Sequence, residues 1–189
     1  KMNLTVMNAR ELALRLVCEL DEIGHIAEVI VCPPFIVIET VCAIAKGSGL
    51  RLGAQNVYYE PDGAFTGEIS ASMLKEMCEF VIVGHSERRN LFAESDETVS
   101  RKTAAVQQSG MRPILCVGEL IEQRETDRAL EVIELQLRKG LDRTASCEGL
   151  VVAYEPVWAI GTRIAATPHD AQDMMSHIRN VLRSIFGES

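Results

Sequence analysis

Residues 150–162 read LVVAYEPVWAIGT: five apolar residues, then Glu155, then seven residues without charge. An apolar run of this length without polar alternation is typical of a strand that is buried on both faces of a parallel sheet. The only tryptophan of the chain, Trp158, lies in the connection that follows. The stretch therefore predicts a buried parallel strand that ends in a carboxylate and continues into an apolar connection.

Four more apolar runs of about five residues have the same character; they occupy residues 28–32, 51–55, 80–84 and 113–117. Six helical patterns alternate with the five predicted strands. Asn8 is the expected N-cap of the first helix and Thr167 that of the last. The other four helices are expected after Ser70, after Ser95, over residues 35–46 and over residues 129–141.

This strict alternation predicts an α/β fold in one domain over residues 1–189, with a parallel sheet and right-handed crossovers. The pattern leaves open whether the sheet is an open, doubly wound one or part of a closed barrel. In both architectures the chemistry is expected at the carboxyl ends of the strands. The residues that follow the strands are therefore the candidates for a functional site.

The composition is that of a soluble globular protein, with 47% hydrophobic and 24% charged residues. A net charge of −8 argues against a nucleic-acid or membrane partner. The six cysteines are scattered without a C-x-x-C pair, which favours reduced thiols in a cytoplasmic protein and no metal site. Neither G-x-G-x-x-G nor a Walker A motif follows any predicted strand, which disfavours nucleotide binding.

Glu155 closes an apolar strand, where poor solvation is expected to raise its pKa and make it a better base near neutral pH. The uncharged connection after it ends in Gly161-Thr162, which suggests a lid that excludes water from a site. The alternative is a connection that is packed against its neighbours, with Glu155 in an ordinary ion pair.

His85 follows the run at residues 80–84 and precedes a helical start. Backbone N–H groups at such a position disfavour the imidazolium, so a neutral ring could donate a hydrogen bond to a substrate oxygen. The alternative is a structural histidine that caps the turn. A base and a neutral donor on one edge suit proton abstraction beside a carbonyl with stabilisation of an enediolate. The absence of a G-x-S-x-G elbow and of spaced metal ligands disfavours hydrolase and metal chemistry.

The segments GHSERR (84–89) and AYEPVWAIGT (153–162) resemble the histidine and glutamate signatures of the triosephosphate isomerase family. The resemblance extends over essentially the whole chain, through KMN (1–3), AQN (54–56), GAFTGE (63–68), AESD (93–96) and CVGE (116–119). It implies an incomplete (β/α)8 TIM barrel with five parallel strands and six helices, lacking the first strand and the last two βα units. Two open sheet edges with exposed apolar faces are then expected.

The resemblance implies interconversion of dihydroxyacetone phosphate and glyceraldehyde 3-phosphate through an enediolate, as in glycolysis and gluconeogenesis, with no cofactor and no metal. It implies Glu155, His85 and Lys1 as catalytic residues, the glutamate acting as base and the histidine as neutral donor. Lys1 and Gly161 would also bind the phosphorylated three-carbon substrate, and Ser86 and Glu87 would support the site. A homodimer would form through residues 63–68, which include Thr66.

The family's usual Gly-Lys-Thr after the lid is replaced here by Arg163-Ile164-Ala165, and the longer Arg163 is expected to slow the lid. One alternative function is a truncated, inactive barrel fragment that serves as an assembly or interaction module. Weak or absent activity is expected of these 189 residues alone, unless the missing segments are supplied. The other is an epimerase or aldolase, which would need metal ligands or a Schiff-base lysine at a strand end. The candidate lysines fall instead in helical patterns: Lys46, Lys75, Lys102 and Lys139.

Overall fold

The computed structural model describes residues 1–23, 27–162 and 165–187. The described strands are β1 (Val29–Val31), β2 (Leu50–Ala54), β3 (Phe80–Val83), β4 (Arg112–Val117) and β5 (Val151–Tyr154). Their order in the sheet follows the chain, and the pairs β1–β2, β2–β3 and β4–β5 are parallel. Parallel strands with helices between them confirm the expected α/β class.

Eight α-helices lie within the described ranges, two more than expected: α1 (Val6–Ile23), α2 (Ile38–Ala45), α3 (Ala71–Leu74), α4 (Ser86–Leu91), α5 (Asp96–Gln108), α6 (Ile121–Glu125), α7 (Ala129–Gly140) and α8 (Pro168–Phe186). The two additional helices are α4 and α6, with six and five residues, although a helical start after His85 was expected. Helices this short show too few turns for an apolar period to be recognised. None of the described helices is long and apolar enough to cross a membrane.

Of the four helix starts that were expected at a named residue, three hold and one fails. Ser70, Ser95 and Thr167 each precede the first residue of their helix, and Thr167 and Asp170 form a reciprocal capping box. The prediction for Asn8 is wrong, because α1 begins at Val6 and the Asn8 N–H donates to Thr5 Oγ1 at 3.4 Å. Thr5 directly precedes the helix, and a threonine hydroxyl that accepts from the N–H three residues on is the pattern of an N-cap.

The described chain forms two compact units, residues 1–82 with 105–113 and residues 83–104 with 114–189. In the first unit the register pairs Val29 with Leu50 and Gly53 with Phe80. Its core contains side chains that are almost fully buried: Ile38, Leu52, Val57, Leu74 and Phe80. This apolar burial is the main stabilising contribution to the unit.

In the second unit β4 and β5 pair in the register Ile114 with Val151 through Val117 with Tyr154. Helices α7 and α8 contact each other and bury apolar residues spaced as on one helical face: Ile133 and Leu137 on α7, and Met174 and Ile178 on α8. This register brings the carboxyl ends of β4 and β5 to the same edge of the sheet.

The first and last strands are less buried than expected. Every residue of β1 and of β5 is half-buried, whereas most residues of β2, β3 and β4 are buried. Both outer strands pair with only one strand among the described residues. The expectation of burial on both faces is therefore wrong for the two outer strands.

Candidate active site

His85 is placed by the turn between β3 and α4. Gly84 has φ of +69°, and a Cβ atom there would lie 2.9 Å from Arg89 Nη2 and 3.0 Å from Val99 Cγ1, so the turn requires glycine. His85 is the N-cap of α4, and its Nδ1 accepts a hydrogen bond from the Glu87 N–H at 3.2 Å. An accepting Nδ1 leaves the proton of the neutral ring on Nε2.

The carboxylate of Glu155 is held by two donors at the end of β5. His85 Nε2 lies 2.9 Å from Glu155 Oε1, and the Ser86 N–H donates to Oε2 at 2.9 Å. The side chains are largely buried, with 20% of His85 and 16% of Glu155 exposed. Each carboxylate oxygen thus has its own donor, which fixes the orientation of the group.

The electrostatics of Glu155 differ from the sequence expectation. Burial raises the pKa of this carboxyl, but the hydrogen bonds from His85 and from the Ser86 N–H lower it by a larger amount. The net pKa is therefore below its usual value. The expectation of a raised pKa is therefore wrong for this arrangement. It considered desolvation alone, whereas hydrogen bonds to the charged form stabilise that form.

The connection after Glu155 begins with a short 3-10 helix, Val157–Ala159, and reaches Gly161, which is exposed and has φ of +71°. A positive φ is readily adopted by glycine. Trp158 is buried in this connection. Arg163 and Ile164, which carried the expectation about the lid hinge, lie outside the described residues.

Glu119, just after β4, anchors this connection. Its carboxylate is fully buried, and Oε1 accepts hydrogen bonds from Trp158 Nε1 at 2.8 Å and from the Tyr154 hydroxyl at 2.9 Å. Arg124 Nη1 lies 3.4 Å from the same oxygen, and its guanidinium lies 4.5 Å from the centre of the Trp158 ring. Burial and the Glu119 charge raise the pKa of Tyr154, so this hydroxyl remains a donor.

No role was predicted for Glu119, although it has the same signal as Glu155, a carboxylate that follows an apolar strand. The neighbouring residue, Gly118, cannot be replaced by a residue with a side chain without a shift of the backbone, since a Cβ atom there would lie 2.0 Å from the carbonyl oxygen of Glu155. Such a distance is far inside van der Waals contact. The end of β4 therefore fits closely against the main chain of Glu155.

The remaining predicted residues lie as follows. Glu87 is partly exposed, and its Oε2 is 3.9 Å from His85 Nδ1. Lys1 is exposed in the first unit, where its carbonyl oxygen accepts from Gln55 Nε2 at 3.2 Å. Thr66 is exposed in the same unit, in the loop at residues 63–68. The second unit thus brings together His85, Ser86 and Glu155.

Comparison with known proteins places this geometry in a family. The whole chain, residues 1–189, matches the family described as triosephosphate isomerase. It is 46% identical over its full length to 74% of the triosephosphate isomerase of Dehalococcoides mccartyi strain CBDB1. It is also 46% identical, over 98% of its length, to 75% of the enzyme of Aquifex aeolicus. Over 86% of its length it is 48% identical to 67% of the enzyme of Moorella thermoacetica. The expected fold, an incomplete TIM barrel, is confirmed, and the chain belongs to the triosephosphate isomerase family.

Proposed function

We propose that the chain catalyses the interconversion of dihydroxyacetone phosphate and glyceraldehyde 3-phosphate. The observation that carries this proposal is the contact between a strand-end carboxylate, Glu155, and an imidazole, His85, whose Nε2 lies 2.9 Å away. A base beside a neutral hydrogen-bond donor is the pair that proton abstraction next to a carbonyl requires.

In the proposed reaction the Glu155 carboxylate removes a proton from the carbon next to the carbonyl. The electron pair of the broken C–H bond forms the C=C bond of an enediolate, and the carbonyl π electrons move to oxygen. The Nε2–H of His85 donates to that oxygen and passes protons between the two oxygens. Glu155 then returns its proton to the neighbouring carbon, which completes the isomerisation without a cofactor.

The hydrogen bonds of the free site explain how the base gains strength when substrate binds. The donors from His85 and Ser86 lower the pKa of Glu155, whereas burial raises it. When His85 turns its proton to the substrate oxygen, one of the contributions that lower the pKa is lost, while burial still raises it. The pKa of Glu155 then rises, and the carboxylate accepts a carbon-bound proton more readily.

Lys1 and Gly161 are proposed to bind the substrate. The ammonium group of Lys1 would place positive charge near the phosphate and the enediolate. The exposed backbone of Gly161 would offer its N–H to the phosphate on lid closure, with the buried Trp158 as the fixed end of the lid. Glu87 would support His85 as a neighbouring carboxylate, and the Ser86 N–H orients Glu155.

The proposal extends to a cytoplasmic homodimer that acts in glycolysis and gluconeogenesis. The loop at residues 63–68 would contact the partner through Thr66. Phe65 in this loop is 39% exposed, and exposed aromatic side chains are enriched at interfaces. An inactive interaction module is not favoured, because the family match covers the whole chain.

The test is isomerisation of glyceraldehyde 3-phosphate in D2O. We expect dihydroxyacetone phosphate to form with deuterium incorporated at carbon, because a carboxylate base exchanges its proton with solvent. Glu155→Gln should abolish turnover, whereas the control Glu125→Gln, at an exposed carboxylate of α6, should leave it unchanged. Absence of turnover in the unmodified protein, or full turnover by Glu155→Gln, would contradict the proposal.

A further inference from the structure

Gln136 of α7 makes a paired contact with the backbone just beyond β4. Its Oε1 accepts a hydrogen bond from the Gly118 N–H at 2.9 Å, and its Nε2 donates to the Gly118 carbonyl oxygen at 3.0 Å. Backbone polar groups away from water need partners. The carboxamide therefore satisfies both polar groups of Gly118 where the strand ladder ends.

Gly118 is in close contact with the main chain of Glu155. The Glu155 N–H donates a hydrogen bond to the carbonyl oxygen of Val117, the residue before Gly118, at 2.8 Å. A Cβ atom on Gly118 would lie 2.0 Å from the Glu155 carbonyl oxygen. This hydrogen bond and this close approach join the Gly118 peptide groups to the backbone that bears the Glu155 carboxylate.

Gly118 also precedes Glu119, whose carboxylate holds Trp158. Gln136 thus contacts Gly118, which packs against the main chain of Glu155 and directly precedes Glu119, the anchor of the lid connection. Its helix is itself fixed, since Ile133 and Leu137 on either side of Gln136 are fully buried. The carboxamide accordingly projects from a rigid element, as a residue that orients others requires.

We propose that Gln136 is a positioning residue for the isomerisation, acting through the Gly118 peptide on the main chain of Glu155. The inference rests on the proposed function. Gln136 contacts no reacting atom in this arrangement; it determines where the Glu155 carboxylate stands. Loss of its two hydrogen bonds should lower kcat and leave KM nearly unchanged, because substrate affinity does not depend on the alignment of the base.

The first variant is Gln136→Met, which keeps the length of the side chain and removes both hydrogen bonds. A misplacement of about 1 Å can cost up to about 100-fold in rate. We therefore expect kcat to fall between about 10- and 100-fold with KM within about twofold. The matched control is Gln172→Met, at an exposed glutamine of α8, for which both constants should stay unchanged.

The second variant, Gln136→Glu, supplies a readout that a purely structural role would not move. An ionised carboxylate accepts from the Gly118 N–H but cannot donate to the Gly118 carbonyl, whereas a protonated carboxyl can do both. The ratio of kcat in this variant to that of the unmodified protein should rise as the pH falls. The same ratio for Gln136→Met should stay flat.

Unchanged kcat in a folded Gln136→Met variant overturns the inference. If that variant does not fold, a flat ratio for Gln136→Glu overturns it instead. Glu155→Gln is measured alongside. If this variant loses turnover while the Gln136 variants keep their kcat, only the positioning role is contradicted and the proposed function stands. If the unmodified protein has no turnover, the proposed function fails, and hydrogen exchange of the Glu155 amide then tests the positioning contact. Faster exchange of this amide in Gln136→Met than in Gln172→Met supports the contact, and equal exchange in the two variants overturns it.

Discussion

The Nε2 atom of His85 lies 2.9 Å from Oε1 of Glu155, while the Ser86 N–H donates to the other oxygen of the same carboxylate. The proposed base is thus held by the group that would polarise the substrate. In the free protein these donors outweigh burial and keep the pKa of Glu155 low. Substrate binding would remove the contribution of His85 and so raise this pKa, and several measurable consequences follow from the arrangement.

The first concerns the pH dependence of catalysis. His85→Leu removes a donor that lowers the pKa of Glu155, so that pKa should rise. Because kcat/KM reports the free enzyme, the acid limb of its pH profile should move to higher pH, on top of an overall loss of activity. His169→Leu, at an exposed histidine of α8, serves as the control. An acid limb that stays in place or moves to lower pH would show that a hydrogen bond from His85 does not lower the pKa of Glu155.

The second concerns the close fit of Gly118 against Glu155. Gly118→Ala places a Cβ atom 2.0 Å from a backbone oxygen, and we expect a loss of at least about 3 kcal/mol in the free energy of unfolding. At Gly140 the nearest atom to such a Cβ is 3.4 Å away, so Gly140→Ala should change stability by no more than about 1 kcal/mol. Urea unfolding of both variants checks this pair, and equal stabilities would contradict the packing argument.

The third concerns the anchor of the lid connection. Trp158→Phe removes the N–H that donates to the buried Glu119 carboxylate, and we expect a loss of about 1–3 kcal/mol. The control is Phe92→Leu, at a largely exposed aromatic residue, with an expected change within about 0.5 kcal/mol. Circular dichroism during denaturation measures both, since the variant lacks the tryptophan fluorescence. A Trp158→Phe protein as stable as the control would show that this hydrogen bond is not an anchor.

The fourth concerns a buried ion pair of the second unit. The Lys102 ammonium contacts the Glu94 carboxylate, with 3% of each side chain exposed, and Arg88 Nε lies 3.1 Å from the same oxygen. Lys102→Met leaves this charge without its closest partner, which should cost about 3–5 kcal/mol at pH 7. Lys139→Met, at an exposed lysine of α7, should change little.

The pH dependence of this loss follows from the pKa of Glu94. Burial raises that pKa, but Lys102 and Arg88 together lower it by a larger amount, so the pKa of Glu94 is below its usual value. The stabilisation from Glu94 is therefore present above its unfolded pKa and is lost as the pH falls through its folded pKa. In Lys102→Met the carboxyl protonates at higher pH, so the stability difference between the two proteins should narrow on acidification. A difference that widens would contradict the assignment.

The sequence predicted the strands and the placement of His85 and Glu155 after two of them, because apolar runs and strand-end polar residues are local signals. It did not predict the low pKa of Glu155, because the hydrogen bonds from His85 and from the Ser86 N–H that outweigh burial form only in the folded chain. The contact of Gln136 was also invisible, since it joins residues 18 positions apart. Half-burial of β1 and β5 depends on which strands have two neighbours, which the apolar pattern does not show, although the family resemblance predicted two open edges.

The most direct test of the account is the turnover of Glu155→Asp. The shorter side chain keeps the charge and withdraws the carboxylate from His85 and from the substrate. We predict that kcat for glyceraldehyde 3-phosphate falls at least about 100-fold while KM changes by less than about threefold. An unchanged kcat would show that the Glu155 carboxylate is not the base.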